Sequence, residues 1–200
     1  MENTAINKKY SAIILSAGKS ARMGVPKFSL QFDGKTTFLE NLLNEYISYG
    51  CQEIVVVFNS EGLLLFNQLN LNLPNCVTII VNKHPEWERF YSLKLATKAL
   101  HEINPVFVSN IDNPFVNHIL LDSLSEFSRC AEYIHPVYNG RGGHPFLLSE
   151  KVVADLTVEE KDQIHLKEFL GRYSKKSVSV DDDKILLNIN TEEEYKRIFV

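Results

Sequence analysis

No apolar run in this sequence approaches the roughly 18 residues that a membrane-spanning helix needs. The opening MENTAINKKYSAIIL sets charge before an apolar stretch. That stretch is short and runs into Gly18 and Lys19, so it is expected to be a strand and not a secretory signal. Cysteine is scarce. Cys51, Cys76 and Cys130 form no C-x-x-C pair, and their odd number argues against a disulfide framework. They are expected to be buried free thiols in a reducing cytoplasm. Positive charge is not in excess either: the formal net charge is −4, which offers no support for a nucleic-acid partner. The histidines share no ligand spacing, so no zinc site is expected. Long linkers, internal repeats and low-complexity segments are also missing.

What remains is an ordinary globular composition with an uneven charge distribution. Residues 1–27 hold five basic side chains (Lys8, Lys9, Lys19, Arg22, Lys27) against Glu2, which leaves a net −8 for the rest. A basic opening on an acidic protein suits a small anionic ligand near the N-terminus, although Lys8 and Lys9 are better read as a solvated tail. Strand and helix patterns alternate. YSAIILSAG, EIVVVF, CVTIIVN and PVFVSNID read as buried strands. TFLENLLNEYISYG reads as a helix opened by a Thr37/Glu40 capping box and closed at Gly50. SEGLLLFNQLN, HPEWERFYSLKLATKALHEI and VNHILLDSLSEF read as further helices. AEYIHPVY and HPFLLS are short strands, and residues 149–172 are helical but broken. KSVSVDDDKILLNIN is expected to hold two strands around an acidic turn, and TEEEYKRIFV a last helix opened by Thr191 and Glu194. This pattern predicts a single α/β domain over residues 1–200, three-layered and Rossmann-like, with a mostly parallel sheet covered on both faces. Ligands of such sheets bind beyond the carboxyl ends of the strands. That rule points to Leu15–Gly18, Asn82, Asp112 and the last turn of the chain.

The stretch LSAGKSARMGVPK contains Gly-Lys-Ser but is not a P-loop. The earlier glycine of G-x-x-x-x-G-K-[ST] would fall at position 13, where Ile13 sits inside the strand. The dinucleotide pattern G-x-G-x-x-G fails as well. Instead, Ser16, Ala17 and Gly18 keep side chains small, so main-chain N–H groups can approach a phosphate or a base edge. Arg22 offers a planar fork for phosphate oxygens, and Pro26 restrains the backbone just before Lys27.

This stretch resembles the opening motif of the MobA-like nucleotidyltransferases, roughly L-A-A-G-x-S-x-R-M-G-x-P-K. Leu15, Ala17, Gly18, Ser20, Arg22, Met23, Gly24, Pro26 and Lys27 match it, with Ser16 in place of alanine. NKHPEW is similar to the family's N-P-x-W element, SNIDNPFV to its strand-end D-x-P, GRGGHPFLLS to an R-G-H-P segment, and VDDDKILLNINTEEEY to its closing element. The group includes enzymes that attach CMP or GMP to molybdopterin, on a GT-A-like fold. Two departures stand out. ERFYSLK replaces a G-x-x-S-S segment, with Arg89 and Phe90 in place of small residues and only Ser92 kept as a hydroxyl. Asn188 and Asn190 stand where cytidylyltransferases often carry aspartates, so the two ends of the chain point to different branches.

The resemblance implies attack of an anionic acceptor on the α-phosphorus of an NTP, with release of pyrophosphate. It implies Mg²⁺ as cofactor, and an acceptor such as molybdopterin or a sugar phosphate. Arg22, Lys27 and Asp112 are the expected catalytic residues. Leu15, Ser16, Ala17, Gly18, Lys19, Arg22, Lys27 and Asn82 are expected to bind the nucleotide, and Ser92 and His144 the acceptor. Asp112 is the expected metal ligand, with the side-chain carbonyl of Asn188 or Asn190 as a second. CTP is the first choice of nucleotide, because of Gly143-His144-Pro145. Asp181-Asp182-Asp183 is read as a solvated tip, since three consecutive carboxylates cannot converge on one ion. Trp87 and Phe90 are read as core packing first, or as a wall of the acceptor pocket. Two rivals stay open: a glycosyltransferase using a nucleotide-sugar, for which Asn110-Ile111-Asp112 supplies only half of a D-x-D pair, and a nucleotide-binding sensor without turnover.

Overall fold

Each strand of the sheet is a β-branched or apolar run cut off by a polar or glycine-containing turn, which sets both its length and its burial. The computed structural model describes residues 9–18, 23–69 and 71–199. Strands β1 (Ser11–Ser16), β2 (Glu53–Asn59), β3 (Val77–Asn82) and β4 (Val106–Asn110) are parallel and lie side by side as β3-β2-β1-β4. Strand β7 (Phe146–Leu148) pairs antiparallel with β4, and β5 (Tyr133–Tyr138) antiparallel with β7. Strand β6 (Arg141–Gly142) folds back on the end of β5, while β8 (Lys175–Ser179) runs parallel along it.

Alternating side chains of the parallel strands feed two cores. Ile13, Val55, Val57, Val106 and Val108 pack against α3 (Glu88–Lys98), α5 (Glu150–Val158) and α6 (Leu166–Leu170). Ala12, Ile14, Ile54, Val56 and Phe107 pack against α1 (Phe38–Tyr49), α2 (Ser60–Gln68) and α4 (His118–Ser125). Each fully buried aliphatic side chain of this kind contributes about 1.5–3 kcal/mol. The expected three-layer α/β architecture is the one observed. Helix α1 begins at the reciprocal Thr37/Glu40 capping box and ends at Gly50, whose φ of 91° suits glycine. Helix α7 (Glu192–Phe199) starts with the Thr191/Glu194 pair, whose two bonds are 3.1 and 3.2 Å. Among the described residues no helix is long and apolar enough to cross a membrane.

Three expectations need correction. HPEWERFYSLKLATKALHEI is not one helix: a 3-10 turn at Pro85–Trp87 precedes α3, and the chain breaks at Glu88, whose φ is 61°. The segment after the acidic triplet is not a strand. It forms a 3-10 turn at Asp183–Leu186 and then crosses the sheet's edge in extended form. The cysteines are free, but only Cys51 is buried, with its thiol pushed up to about 12 by burial; Cys76 is half-buried and Cys130 exposed. Asp181 and Asp183 are exposed, as expected of a solvated tip, and Asp182 accepts from the N–H of Lys184.

Candidate active site

Strand β1 lies between β2 and β4, so the chain runs from β1 toward one edge of the sheet and from β4 toward the other. This is the switch point at which open α/β sheets place their ligands. The backbone N–H of Ile111 donates to the carbonyl of Leu15 at 3.0 Å and holds the two strand ends together. Beyond them opens a cleft of about 510 Å³, whose walls include Leu15, Ala17, Gly18, Lys27 and Asp112. Ser16 and Gly18 face an adjoining cavity of about 560 Å³ with Pro26 and Asn59. Lys19 and Arg22 lie outside the described residues.

Lys27 and Asp112 meet on this cleft. Lys27 opens a 3-10 turn (Lys27–Ser29) just after Pro26. The turn is anchored by Phe28, which is buried edge-on against Phe58 with ring centroids 5.0 Å apart. The Lys27 ammonium donates to Asn190 Oδ1 at 2.8 Å and lies 3.4 Å from Asp112 Oδ2. The C-terminal segment reaches this point because the Ile189 N–H donates to the Asp112 carbonyl (2.7 Å), and Asn113 Nδ2 donates to the Ile185 carbonyl (3.0 Å). Asn190 is fixed in turn, its N–H donating to Glu194 Oε2 at 2.7 Å. Asn188 is exposed and joins the network through its backbone carbonyl, which accepts from Asn190 Nδ2 at 3.1 Å. Its expected side-chain role as a metal ligand finds no geometric support here.

The other Asp112 oxygen, Oδ1, is buried and has no hydrogen-bond partner among the described residues. An orphaned carboxylate oxygen in a cleft is a ready ligand for a hard cation. Asn190 Oδ1 is taken by Lys27, and no group of three or more acidic, histidine or cysteine side chains converges among the described residues. The arrangement therefore suits a divalent ion that keeps several waters and is held jointly with phosphates, rather than one caged by protein.

Asn82 does not face the cleft. It is fully buried; Nδ2 donates to Ser92 Oγ at 2.9 Å and Oδ1 accepts from the His84 N–H at 2.7 Å. With both ends of its amide used, it shapes the β3–α3 turn instead of touching a nucleotide directly. Ser92 borders the cleft, but its hydroxyl is engaged by Asn82 and directed at the Glu88 carbonyl (3.4 Å). Phe90 is in the core, as expected. Trp87 is not: it is half-buried and stacks on His84 with centroids 4.2 Å apart.

His144 follows Gly143, where an added Cβ would sit 2.5 Å from the Ile185 carbonyl oxygen, so only glycine fits. His144 Nε2 pairs with Asn110 Nδ2 at 3.0 Å, and its buried Nδ1 has no partner among the described residues. Burial pushes the imidazole down to about 4, with Asp112 opposing and the Arg89 guanidinium adding to the shift, so the ring is neutral near pH 7. The Asn110–His144 pair stands between the cleft and a second cavity of about 870 Å³, bordered by Tyr133, His135 and Phe146. Glu88, Arg89 and His165 border both. Of these, Arg89 carried a signal in the altered ERFYSLK segment, and Asn110 one in its place two residues before Asp112. Glu88 and His165 carried none.

The sequence matches the MobA-like NTP transferase domain over residues 12–177. The chain belongs to this family. It is a nucleotidyltransferase. Its curated relatives include the molybdenum cofactor cytidylyltransferase of Escherichia coli K12, 24% identical over 185 residues and 92% of each chain. They also include the probable molybdenum cofactor guanylyltransferase of Bacillus cereus AH820, 28% identical over 205 residues and 94% of each chain. Among solved structures, Rv0371c of Mycobacterium tuberculosis H37Rv shares the fold at a TM-score of 0.80 and 22% identity, covering 96% of this chain and 97% of that one. A manganese complex of Rv0371c superposes at 0.74, with 20% identity over 96% and 98% of the chains.

Proposed function

We propose that this enzyme transfers a nucleoside monophosphate from an NTP to a small phosphorylated acceptor such as molybdopterin or a sugar phosphate, releasing pyrophosphate with Mg²⁺ as cofactor. The observation that carries the reading is the meeting of Lys27, which follows the glycine loop, and Asp112, which follows β4, across 3.4 Å at the mouth of one cleft. A triphosphate laid along Leu15–Gly18 would have main-chain amides on one side and the Lys27 ammonium on the other. In-line transfer asks little covalent chemistry of the protein beyond positioning and charge neutralisation. Lys27 would leave Asp112 for the phosphates, and the freed carboxylate, with its orphaned Oδ1, would hold the metal. Bound magnesium supplies the main counter-charge to the triphosphate. Arg22 is the second phosphate cation of this reading, from its place in the opening motif, with Lys19 beside it. The neutral His144 edge faces the acceptor side. CTP is the nucleotide to test first, on the strength of Gly143-His144-Pro145, and GTP second, since relatives of both kinds match the chain. The free thiols and the absence of an excess of basic residues fit a cytoplasmic enzyme of small molecules.

The test is pyrophosphate release over a panel of NTPs and phosphorylated acceptors, with and without Mg²⁺. Release with one NTP–acceptor pair only when magnesium is present is the expected result. Nucleotide binding with no release from any acceptor would show a sensor, and turnover of a nucleotide-sugar would show a glycosyltransferase.

A further inference from the structure

The cation that the family resemblance does not explain is Arg89. It is exposed, stands in the first turn of α3, and borders both the cleft and the second cavity. Among the described residues its guanidinium has no carboxylate partner, whereas Lys94, further along the same helix, is paired with Asp162 at 2.7 Å. Its orientation follows from the backbone. Glu88 holds φ 61° and ψ −165°, a region that favours glycine, and the chain turns there so that Arg89 enters the wall common to the two cavities. Among the described residues no side chain caps the N-terminus of α3, so its positive end adds to the guanidinium field. The second cavity is cationic beyond this: Lys167 and Lys175 border it, against Glu88 as its acidic residue. Its floor is aromatic, with Tyr133 and Phe146 edge to face at 5.5 Å.

Resting on the nucleotidyltransferase reading, we propose that Arg89 binds the acceptor's phosphate monoester at the partition between the two cavities, with the acceptor's body in the aromatic cavity. Two polyanions must approach one another in this reaction, and the planar guanidinium fork neutralises the attacking one. One oxygen of the acceptor phosphate dianion forms the new bond to the α-phosphorus. The bond from the α-phosphorus to the bridging oxygen breaks, and pyrophosphate leaves with that electron pair. No proton has to leave the attacking oxygen. Arg89 is thus an acceptor-selecting residue, and an uncharged alcohol of the same shape is excluded because it leaves the cation unpaired.

Trp87, the sole tryptophan, lies two residues from Arg89 and serves as the reporter. With the cleft filled by Mg²⁺ and α,β-methylene-CTP or α,β-methylene-GTP, phenyl phosphate and phenol are titrated while Trp87 fluorescence is followed. Wild type is expected to bind phenyl phosphate at least about tenfold more tightly than phenol. Arg89→Ala is expected to lose about tenfold or more, Arg89→Lys to fall between, and both to bind the nucleotide analogue within about twofold of wild type. Unchanged phenyl phosphate binding in Arg89→Ala, no binding by wild type, or equal loss of nucleotide affinity would each overturn the assignment. Failure of both analogues to bind wild type would instead bring down the nucleotidyltransferase reading beneath it.

Discussion

Asp112→Asn removes one charge from the cleft and keeps the side chain's shape. In the ligand-free protein Asp112 holds part of the Lys27 charge, at 3.4 Å and with the two side chains 25% and 13% exposed. Coulomb attraction at that distance is about 5 kcal/mol at an effective dielectric near 20 and about 1 kcal/mol in bulk water. Lys27 keeps its 2.8 Å bond to Asn190, and part of the attraction only offsets desolvation, so the net release on substitution is about 1–2 kcal/mol. The freed ammonium should then bind an anion about 5–30-fold more tightly when no metal is present. Inorganic tripolyphosphate in EDTA, followed by calorimetry, measures this without reference to the base. With Mg²⁺ and substrates the same variant should turn over about 10²–10³-fold more slowly, because the carboxylate that would hold the metal is gone. The two effects have opposite signs, which a merely structural Asp112 would not produce. A folded Asp112→Asn protein that binds metal-free tripolyphosphate more weakly than wild type, or that turns over at the wild-type rate, would refute the reasoning.

His144 is neutral when folded, and burial holds it down to about 4 against about 6.5 in the unfolded chain. The unfolded state therefore takes up a proton first as pH falls. Stability should drop through pH 6.5 toward 4, and by about 1–2 kcal/mol more between pH 7 and 5 in wild type than in His144→Gln; equal slopes in urea unfolding would contradict this. Lys94 is buried with its ammonium 2.7 Å from Asp162 and close to the Glu160 and Lys161 carbonyls. Asp162→Asn should cost about 1–2 kcal/mol, seen as a lower Tm, whereas Lys94→Met, which removes the buried charge itself, should cost less; the reverse order would argue against a desolvated lysine. Gly143→Ala should destabilise by about 1–3 kcal/mol and slow turnover, because its Cβ drives Ile185 and the segment leading to Asn190 away from Asp112. A variant with wild-type unfolding midpoint and rate would show that the close approach does not matter.

Local physics carried much of this protein's architecture on the face of the sequence. Capping boxes at Thr37/Glu40 and Thr191/Glu194, the buried β-branched runs and the placement of Ile13 inside β1 each depend on residues a few positions apart. So does the glycine loop that ends in Pro26-Lys27. Periodicity and turn chemistry are short-ranged, so such features survive whatever the rest of the chain does. The tertiary structure alone decided the remainder. It paired Lys27 with Asn190 across 163 positions, because the segment after β8 is pinned to the β4 end by the Asp112 carbonyl and the Asn113 amide. It turned Asn82 inward, since a strand-end amide faces ligand or core according to what the next helix presents, and here Ser92 presents a hydroxyl. It broke the helix at Glu88, whose positive φ no helical pattern reveals, and so set Arg89 between two cavities. Those outcomes rest on contacts between segments distant in sequence, whose geometry exists only after the sheet order is formed.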